Sequence, residues 1–320
     1  MDPAIPIRPL RDDDTDGIVA LYERAAVAEA RIGPVPHAAW RRFVKLPHNQ
    51  NGRDFRVARR GADLVGLAES SLKEQDGRQI RFFKLVVEPT MRRQGVGSAL
   101  LKALLALDEP SETLSLQSLA ARDWTAGLAF LENLGFSHIE SEISLLCFSL
   151  PPPRVAHLAG ISLERVANPP AYAEDVARIH NAAFASDVAF RKYTATEMAD
   201  LLAEDVLWVA RNESRIVGFC RLESEQDLTW LEVLAVDPDH QGRGLGATLA
   251  YRALQAAGLG QDRPAGLNVS SANLAALSVY KRLGFEPRRE MCRFSADHHD
   301  LKVLMERKRR RREGSHVNSD

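Results

Sequence analysis

The chain of 320 residues is written twice, and that repetition limits the fold more than any other feature. Leu85-Val86-Val87-Glu88-Pro89 returns as Leu234-Ala235-Val236-Asp237-Pro238, 149 positions later. Gly95 and Gly97 return as Gly244 and Gly246 at the same offset, and Leu134-Gly135-Phe136 returns as Leu283-Gly284-Phe285. Earlier in each copy, Val57-Ala58-Arg59 matches Val209-Ala210-Arg211 at an offset of 152. The first copy therefore holds three extra residues, placed in the turn near Gln75-Asp76-Gly77. A period this long exceeds the roughly 20–50 residues of solenoid and propeller repeats, so each copy is expected to be a complete domain. Proline ends a strand and stiffens a linker, which puts the junction at Pro151-Pro152-Pro153. The expected domains are 1–150 and 155–306, with 307–320 as a tail.

Within each copy, helical and strand patterns alternate. Helices are expected over 18–28 and 175–183. Apolar strand-like stretches follow at 56–58 and 64–69, and in the second copy at 207–210 and 216–222. A further strand runs into Pro89 or Pro238 and a glycine-bearing turn. A helix then opens with Val96, Leu100, Leu101, Leu104 and Leu105 at helical spacing. Leu114-Ser115-Leu116 and Leu267-Asn268-Val269 read as the next strand. The helix after it ends at Gly135 or Gly284, the residue type favoured just past a helix C-terminus. Final strands are expected at 143–150 and 301–305. Mixed strands and helices with local crossovers predict an α/β (α+β) class, twice over.

Composition excludes several function classes. The 42 Lys and Arg against 43 Asp and Glu give a formal charge of −1, which argues against a dedicated nucleic-acid binder. Cys147, Cys220 and Cys292 stand far apart with no CxxC, so neither a disulfide framework nor a Cys-rich metal site is expected. Asp12, Asp13 and Asp14 occupy a stretch where a signal peptide needs basic and apolar residues. No window approaches about 18 consecutive apolar residues, so no membrane span is expected, and the expected location is cytoplasmic.

The glycine turn carries the first chemical signal. Gln241-Gly242-Arg243-Gly244-Leu245-Gly246 lies between a strand and a helix, where the first amides have no intrahelical partner. Such a helix start attracts an anion, and glycines let a phosphate approach the backbone. The bland alternative is a tight turn that needs positive φ, and the turn alone leaves the two readings even. Gly242-x-Gly244-x-x-Ala247 also fits the dinucleotide fingerprint, with Asp262 about 20 residues on. The first copy rejects that fit, because Arg93 stands in place of the first glycine. Residues 237–241 also intervene between strand and glycine, where the dinucleotide motif has none.

What both copies keep is V-[DE]-P followed by [QR]-x-x-G-x-G. In the second copy N-x-x-A-x-x-x-Y-x-x-x-G-F follows about 27 residues later, at 273–285. These motifs resemble the GNAT acetyltransferase superfamily, and the resemblance spans both halves. It implies two tandem domains, each a mixed, mostly antiparallel sheet flanked by helices, and acetyl-CoA as acyl donor. It assigns the pantetheine arm to Leu234, Ala235 and Val236. The phosphates fall to Gln241, Gly242, Arg243, Gly244, Leu245, Gly246 and Ala247, with Asn273 on the following helix. The corresponding residues of the first copy are Leu85, Val86 and Val87, then Arg92, Arg93, Gln94, Gly95, Val96, Gly97 and Ser98.

Acetyl transfer to an amine needs a neutral amine and a proton for the departing thiolate. A phenol of pKa ~10 suits a thiolate of pKa ~8.5, and the resemblance gives that role to Tyr280. The competing reading of Tyr280 is a packed aromatic beside Leu277 and Leu283. Asn273 is in addition a good N-cap. For the base, strand alternation puts Glu232, Leu234 and Val236 on one face, with Glu232 partly desolvated among Leu231, Val233 and Leu234. A solvated strand-end carboxylate is the equal alternative. In the first copy the three positions hold Leu131, Trp124 and Phe83. That copy is expected to fold without catalysing.

The remaining features carry less. Glu223, Glu225 and Asp227 read as a wet hairpin tip, with attraction of a cationic amine as the weaker reading. The six basic residues at 307–312 read as a solvated, disordered tail, the one place where nucleic acid or anionic lipid would touch. His298-His299 lacks metal-ligand spacing. His180 reads as a surface helix histidine, with the acceptor pocket as its alternative. The expected activity is N-acetyl transfer from acetyl-CoA to a small-molecule primary amine, with a protein N-terminus as a further acceptor class, by a monomer without metal. The alternative from another class is a non-catalytic acyl-CoA-binding or regulatory protein. The acceptor segment, 176–196, shows no recognisable chemistry.

Overall fold

Period-3.6 and period-2 apolar patterns give helices and strands wherever each can bury one face. The computed structural model describes residues 5–29, 33–45, 47–75, 77–109, 113–152, 158–185, 192–203, 205–224, 227–260 and 262–317, with backbone alone over 308–317. Asp76, Pro153, Glu225 and residues 186–191 of the acceptor segment lie outside the described residues. The first copy runs β1 (Ile7–Pro9), α1 (Thr15–Ala28), α2 (His37–Val44), β2 (Arg56–Arg60), β3 (Asp63–Gln75) and β4 (Arg78–Val87). It continues with α3 (Val96–Leu105), β5 (Leu114–Ala121), α4 (Thr125–Asn133) and β6 (Ser137–Cys147). The second runs β7 (Ile161–Arg165), α5 (Ala173–Ala183), α6 (Ala195–Leu202), β8 (Val206–Asn212), β9 (Arg215–Ser224) and β10 (Thr229–Val236). It ends with α7 (Leu245–Ala257), β11 (Ala265–Ser270), α8 (Leu274–Arg282), β12 (Glu286–Asp297) and α9 (His298–Val317).

Two compact units form, Met1–Ile139 with Cys292–Asp320, and Glu140–Met291. In the first, the strand order is β1-β2-β3-β4-β5-β12. Its first four strands pair antiparallel, and β4 pairs β5 parallel. In the second, the order is β6-β11-β10-β9-β8-β7. There β10 pairs β11 parallel while the other neighbours are antiparallel. The units depart from the expected boundaries of 1–150 and 155–306, because residues 140–147 of β6 and 292–297 of β12 each fall in the unit of the other copy. The first copy's β6 pairs with β11, Cys147 opposite Ala265 and Glu142 opposite Ser270. Cys292 and Phe294 of β12 join the core of the first unit.

The faces of each sheet carry separate cores. In the first unit, Ile18, Leu21, Tyr22, Trp40 and Phe55 pack under α1 and α2. Val96, Leu100, Leu131, Phe136 and Leu301 pack under α3, α4 and α9. In the second unit, Val176, Ile179, Met198 and Phe219 pack under α5 and α6. Leu245, Leu249, Tyr280 and Phe285 pack under α7 and α8. Each fully buried Leu or Phe contributes about 1.5–3 kcal/mol, so the expected helical and strand faces account for where these elements sit.

Two expectations at the C-terminus are corrected. The stretch 301–305, expected as a strand, belongs to α9. Leu301 is buried and Met305, one helical turn on, packs against the same core. Asp297 Oδ1 accepts the amides of His299 and Asp300 at 2.8 and 3.3 Å, which starts that helix. The basic run 307–312, expected as a disordered tail, continues α9 to Val317.

Candidate active site

In the second unit β10 carries the site, and its pairing explains why. It meets β11 only at Thr229↔Ala265 and Trp230↔Gly266, although both strands continue. Beyond Trp230 the edge of β10 towards β11 has no ladder partner among the described residues, and that edge holds Leu234, Ala235 and Val236. At the parting, the ladder to β9 slips. Leu231 pairs Leu222, but the next pair is Val233 with Arg221, so Glu232 is the extra residue of a β-bulge.

The bulge overturns the expected alternation. Leu231, Leu234 and Val236 join the core under α7 and α8. Glu232 and Val233 instead line a cavity on the opposite face, under α5 and α6. Glu232 therefore does not share a face with Leu234 and Val236, because the inserted residue resets the period of two. Its neighbour is also not the apolar wall expected for it. Arg221 lies 3.5 Å from Glu232 Oε2 and 2.6 Å from Asp205 Oδ2.

The cavity is about 170 Å³ and is lined by His180, Tyr193, Met198, Leu201, Phe219, Arg221, Glu232 and Val233. His180, expected as a surface histidine, is part of this wall. Its ring lies 4.9 Å from Phe184 and 5.1 Å from Tyr193. Burial holds His180 below its usual value; a bond with Asn181 opposes that and the Arg221 charge adds to it. Arg221, Asp205, Tyr193, Met198, Leu201 and Phe219 carried no signal in the sequence, since none stands in a motif.

Tyr280 sits on the other face, and its place follows from the Leu-Gly-Phe sequence at the end of α8. The Phe285 amide donates to Tyr280 O at 3.0 Å and the Gly284 amide to Lys281 O at 3.1 Å, with Gly284 at φ 85°. This is a Schellman cap, whose usual apolar contact is here the Tyr280–Phe285 pair at 5.7 Å. At the other end of α8, Asn273 Oδ1 accepts the Ala276 amide at 3.0 Å, the N-cap expected of it. Tyr280 is 7% exposed, and burial first, then the nearby Cys220 thiol, push its phenol above the usual value. Cys220 itself is pushed up to about 12 by burial.

The glycine turn opens α7. Gly242 and Gly244 take φ of 75° and 80°, a region that favours glycine. No side chain caps the helix, so the amides at Leu245, Gly246 and Ala247 have no intrahelical partner. Arg243 is exposed beside them. The exposed Gln241 side chain folds back onto the strand end instead, donating to Val236 O at 2.9 Å. In the first copy Arg92 does the same job, donating to Val87 O at 3.3 Å, and its guanidinium also pairs with Glu29.

The first copy lacks the rest. Its β4 pairs β5 through Phe82↔Gln117 and then parts, placing Leu85, Val86 and Val87 beyond the pairing. Its ladder to β3 is regular, with Phe83 opposite Ser70 and Lys84 opposite Glu69, so there is no bulge. Phe83 consequently faces the core, 5.6 Å from Phe136, with Leu131 in the same cluster. The Ser118 hydroxyl donates to Phe83 O at 2.9 Å. Arg93, Gln94 and Gly95 are exposed in the turn, with Arg93 at φ 62° and Gly95 at 84°. Val96 is buried, and Gly97 and Ser98 are half-buried at the start of α3.

Among the described residues, no group of three or more His, Cys, Asp or Glu is placed to hold a metal ion. His298 is fully buried with Nε2 3.1 Å from Leu105 O. The three cysteines are buried and, among the described residues, join in no disulfide. No helix among the described residues is long and apolar enough to cross a membrane.

Comparison with known proteins matches both copies to one family. The acetyltransferase (GNAT) family model matches residues 173–285, and an acetyltransferase (GNAT) domain model matches residues 51–138. The mycothiol acetyltransferase of Streptomyces coelicolor is 29% identical over 290 residues, covering 86% of this chain and 89% of that protein. That of Mycolicibacterium paratuberculosis is 32% identical over 235 residues, covering 65% and 71%. Among solved structures, a GCN5-related N-acetyltransferase from Sphaerobacter thermophilus superposes with a TM-score of 0.73 at 16% identity, covering 93% of this chain and 97% of that one. A tandem GNAT protein from the clavulanic acid biosynthesis pathway gives 0.65 at 19% identity, covering 92% and 98%. These two likenesses bear on the fold. The chain belongs to the GNAT acetyltransferase family, as a tandem member and an acyltransferase.

Proposed function

We propose that the C-terminal unit moves an acetyl group from acetyl-CoA to the primary amine of a small molecule, by direct attack. The observation that carries this is the parting of β10 from β11 with the Glu232 bulge beside it. An unpaired strand edge offers amides and carbonyls to an amide-bearing arm, and the uncapped start of α7 offers amides to phosphates. A Cβ at Gly242 would meet nothing within 4 Å, so the turn has room for such a ligand. Leu234, Ala235 and Val236 would hold the arm, and Gln241 to Ala247 the phosphates, with Gln241 acting through its clasp on Val236. When bound, acetyl-CoA supplies the thioester carbon that the amine attacks and a thiol as leaving group.

The chain's own groups divide the proton traffic. Glu232, at the cavity side of the bulge, takes a proton from the ammonium through water. Arg221 holds that carboxylate from one side, itself fixed by Asp205. Tyr280 keeps its proton at neutral pH and releases it to the departing sulfur, and solvent restores the phenol with the proton lost by the new amide. The name mycothiol acetyltransferase on the relatives supports an amine acceptor of small-molecule size.

The N-terminal unit keeps the fold and the turn but not the transfer step. Support comes from its regular β3–β4 ladder and from Phe83, Leu131 and Trp124 at the positions of Glu232, Tyr280 and Asn273. The deciding experiment is thiol release from acetyl-CoA by the full chain across an amine panel, beside Tyr280→Phe. Release with at least one amine that falls in the variant supports the reading. Binding of acetyl-CoA with no release for any amine would sink it.

A further inference from the structure

We infer that Arg178 is a positioning residue for the acetyl donor, setting through Asp237 the turn that receives the phosphates; this rests on the transfer function proposed above. Both copies keep an acid in V-[DE]-P, just ahead of the glycine turn. A carboxylate there works against incoming phosphates unless its charge is matched. In the second unit an arginine of α5 matches it. Arg178 Nη1 donates to Asp237 Oδ2 at 3.1 Å, while Nη2 donates to Ile216 O at 2.8 Å and to Asp175 Oδ1 at 3.0 Å. The guanidinium thus joins α5 to the start of β9 and to the residue that follows β10. A planar fork bonding several acceptors fixes a direction, which a single point charge does not.

Asp237 passes that direction to the turn. Its amide donates to Val217 O at 2.9 Å and its carbonyl accepts the His240 amide at 2.8 Å. Its Oδ1 accepts the Asp239 amide at 3.2 Å. These bonds hold residues 237–240 as one turn, and the uncapped start of α7 follows at Leu245. The first copy repeats the clamp. Arg24 of α1 pairs through Nε with Glu88 and donates from Nη2 to Leu64 O at 3.1 Å. Leu64 corresponds to Ile216 at the offset of 152, and the Glu88 amide donates to Val65 O at 3.0 Å as that of Asp237 does to Val217 O. That copy lacks counterparts of Glu232, Asn273 and Tyr280 but keeps the glycine turn. The clamp therefore follows the turn and not the transfer groups.

The test is steady-state thiol release by the full chain with glucosamine, spermidine, phenylalanine and 2-phenylethylamine, then kcat and both KM values for variants with the most active amine. Arg178→Met keeps the unbranched stem and leaves Arg215, 3.2 Å from Asp237 Oδ2, facing the carboxylate. Its KM for acetyl-CoA should rise at least about 10-fold while kcat and the amine KM stay within about 3-fold. Asp237→Asn keeps an acceptor for the Asp239 amide and should raise the same constant. The double variant should add nothing to the larger single effect. Arg178→Lys should recover part of the donor affinity, since an ammonium lacks the fork. Arg24→Met, in the first unit, should leave all three constants unchanged. A wild-type KM for acetyl-CoA in Asp237→Asn and Arg178→Met overturns the clamp and leaves transfer standing. An equal rise in Arg24→Met, or kcat and amine KM shifting as far as the donor KM, overturns it too. No release by the wild-type chain with these or any other amine removes both.

Discussion

At the scale of single residues, Tyr280 carries the sharpest consequence. A phenol buried to 7% exposure gives up its proton reluctantly, and its shift is upward, so it remains protonated across the neutral and mildly alkaline range. Transfer should therefore show no loss from phenol ionisation between about pH 8 and about pH 10. Tyr280→Phe should lower turnover by about 10²-fold with acetyl-CoA affinity nearly unchanged, read by thiol release beside calorimetry. Unchanged turnover would return Tyr280 to the role of core aromatic. A second residue tests stability. Burial alone would raise the Asp14 carboxyl, but bonds from Arg8 and the Arg11 amide, with the Arg59 charge, hold it low. Its contribution is thus present above the unfolded value near ~3.9 and lost as pH falls through the lower folded value. Asp14→Asn should cost about 2–3 kcal/mol at neutral pH and almost nothing at strongly acidic pH, measured by denaturant unfolding. Tyr280, Asn273 and the glycines were legible because a motif holds them at fixed spacing. Arg221, Asp205 and Phe219 were not, because strands far apart in order bring them to one wall.

At the scale of elements, the bulge separates the two copies. A regular strand would send residue 232 into the core under α7 and α8, as the first copy does with Phe83; the extra residue instead turns Glu232 to the cavity. Deleting Glu232 should restore a regular β9–β10 ladder, keep the fold by circular dichroism, and reduce transfer by at least about 10²-fold. A deletion variant as active as Glu232→Gln would show that the bulge does nothing beyond carrying the carboxylate. The sequence left room for the bulge without locating it. Each added rung of an antiparallel hairpin uses two residues, yet the copies differ by three between their matched blocks. An odd difference is met either by a turn of different length or by an irregularity in one ladder; the turn near Gln75 was given the whole of it, and β10 holds the irregularity. The turns before α3 and α7 differ as well. Arg93 takes φ 62° where the second copy has Gly242 at 75°. The left-handed region costs a side-chain-bearing residue about 1–2 kcal/mol. Arg93→Gly should raise stability by up to about 1 kcal/mol after the entropy of the unfolded glycine is deducted, and a lower unfolding midpoint would contradict that.

At the scale of the whole molecule, the repeat gave two domains and the proline stretch gave a cut between them, but the compact units close differently. Sequence similarity follows the order in which the copies are written. Strand pairing is free to take its last member from anywhere in the chain, so β6 and the second half of β12 were assigned by order and not by pairing. The consequence can be tested by truncation. Residues 140–291 contain β7 to β11 and residues 140–147 of β6, together with α5 to α8, the bulge and Tyr280. Residues 155–306, the boundaries suggested by the repeat, leave out β6. The edge of β11 would then lose its pairing from Ala265↔Cys147 to Ser270↔Glu142, and Leu283 O would lose the Cys147 thiol at 3.4 Å. Leu145 and Cys147, 3% and 0% exposed, would leave a gap in the core that holds Tyr280 and Phe285. Losing two buried side chains from a core costs several kcal/mol, a large part of the roughly 5–15 kcal/mol that stabilises a domain. The 140–291 fragment should therefore unfold cooperatively and release thiol with the amine that serves the full chain. The 155–306 fragment should be poorly folded and inactive, with an exposed strand edge that promotes association. Cooperative unfolding of 155–306 at the same midpoint would show that the second copy closes its own sheet without the borrowed strand.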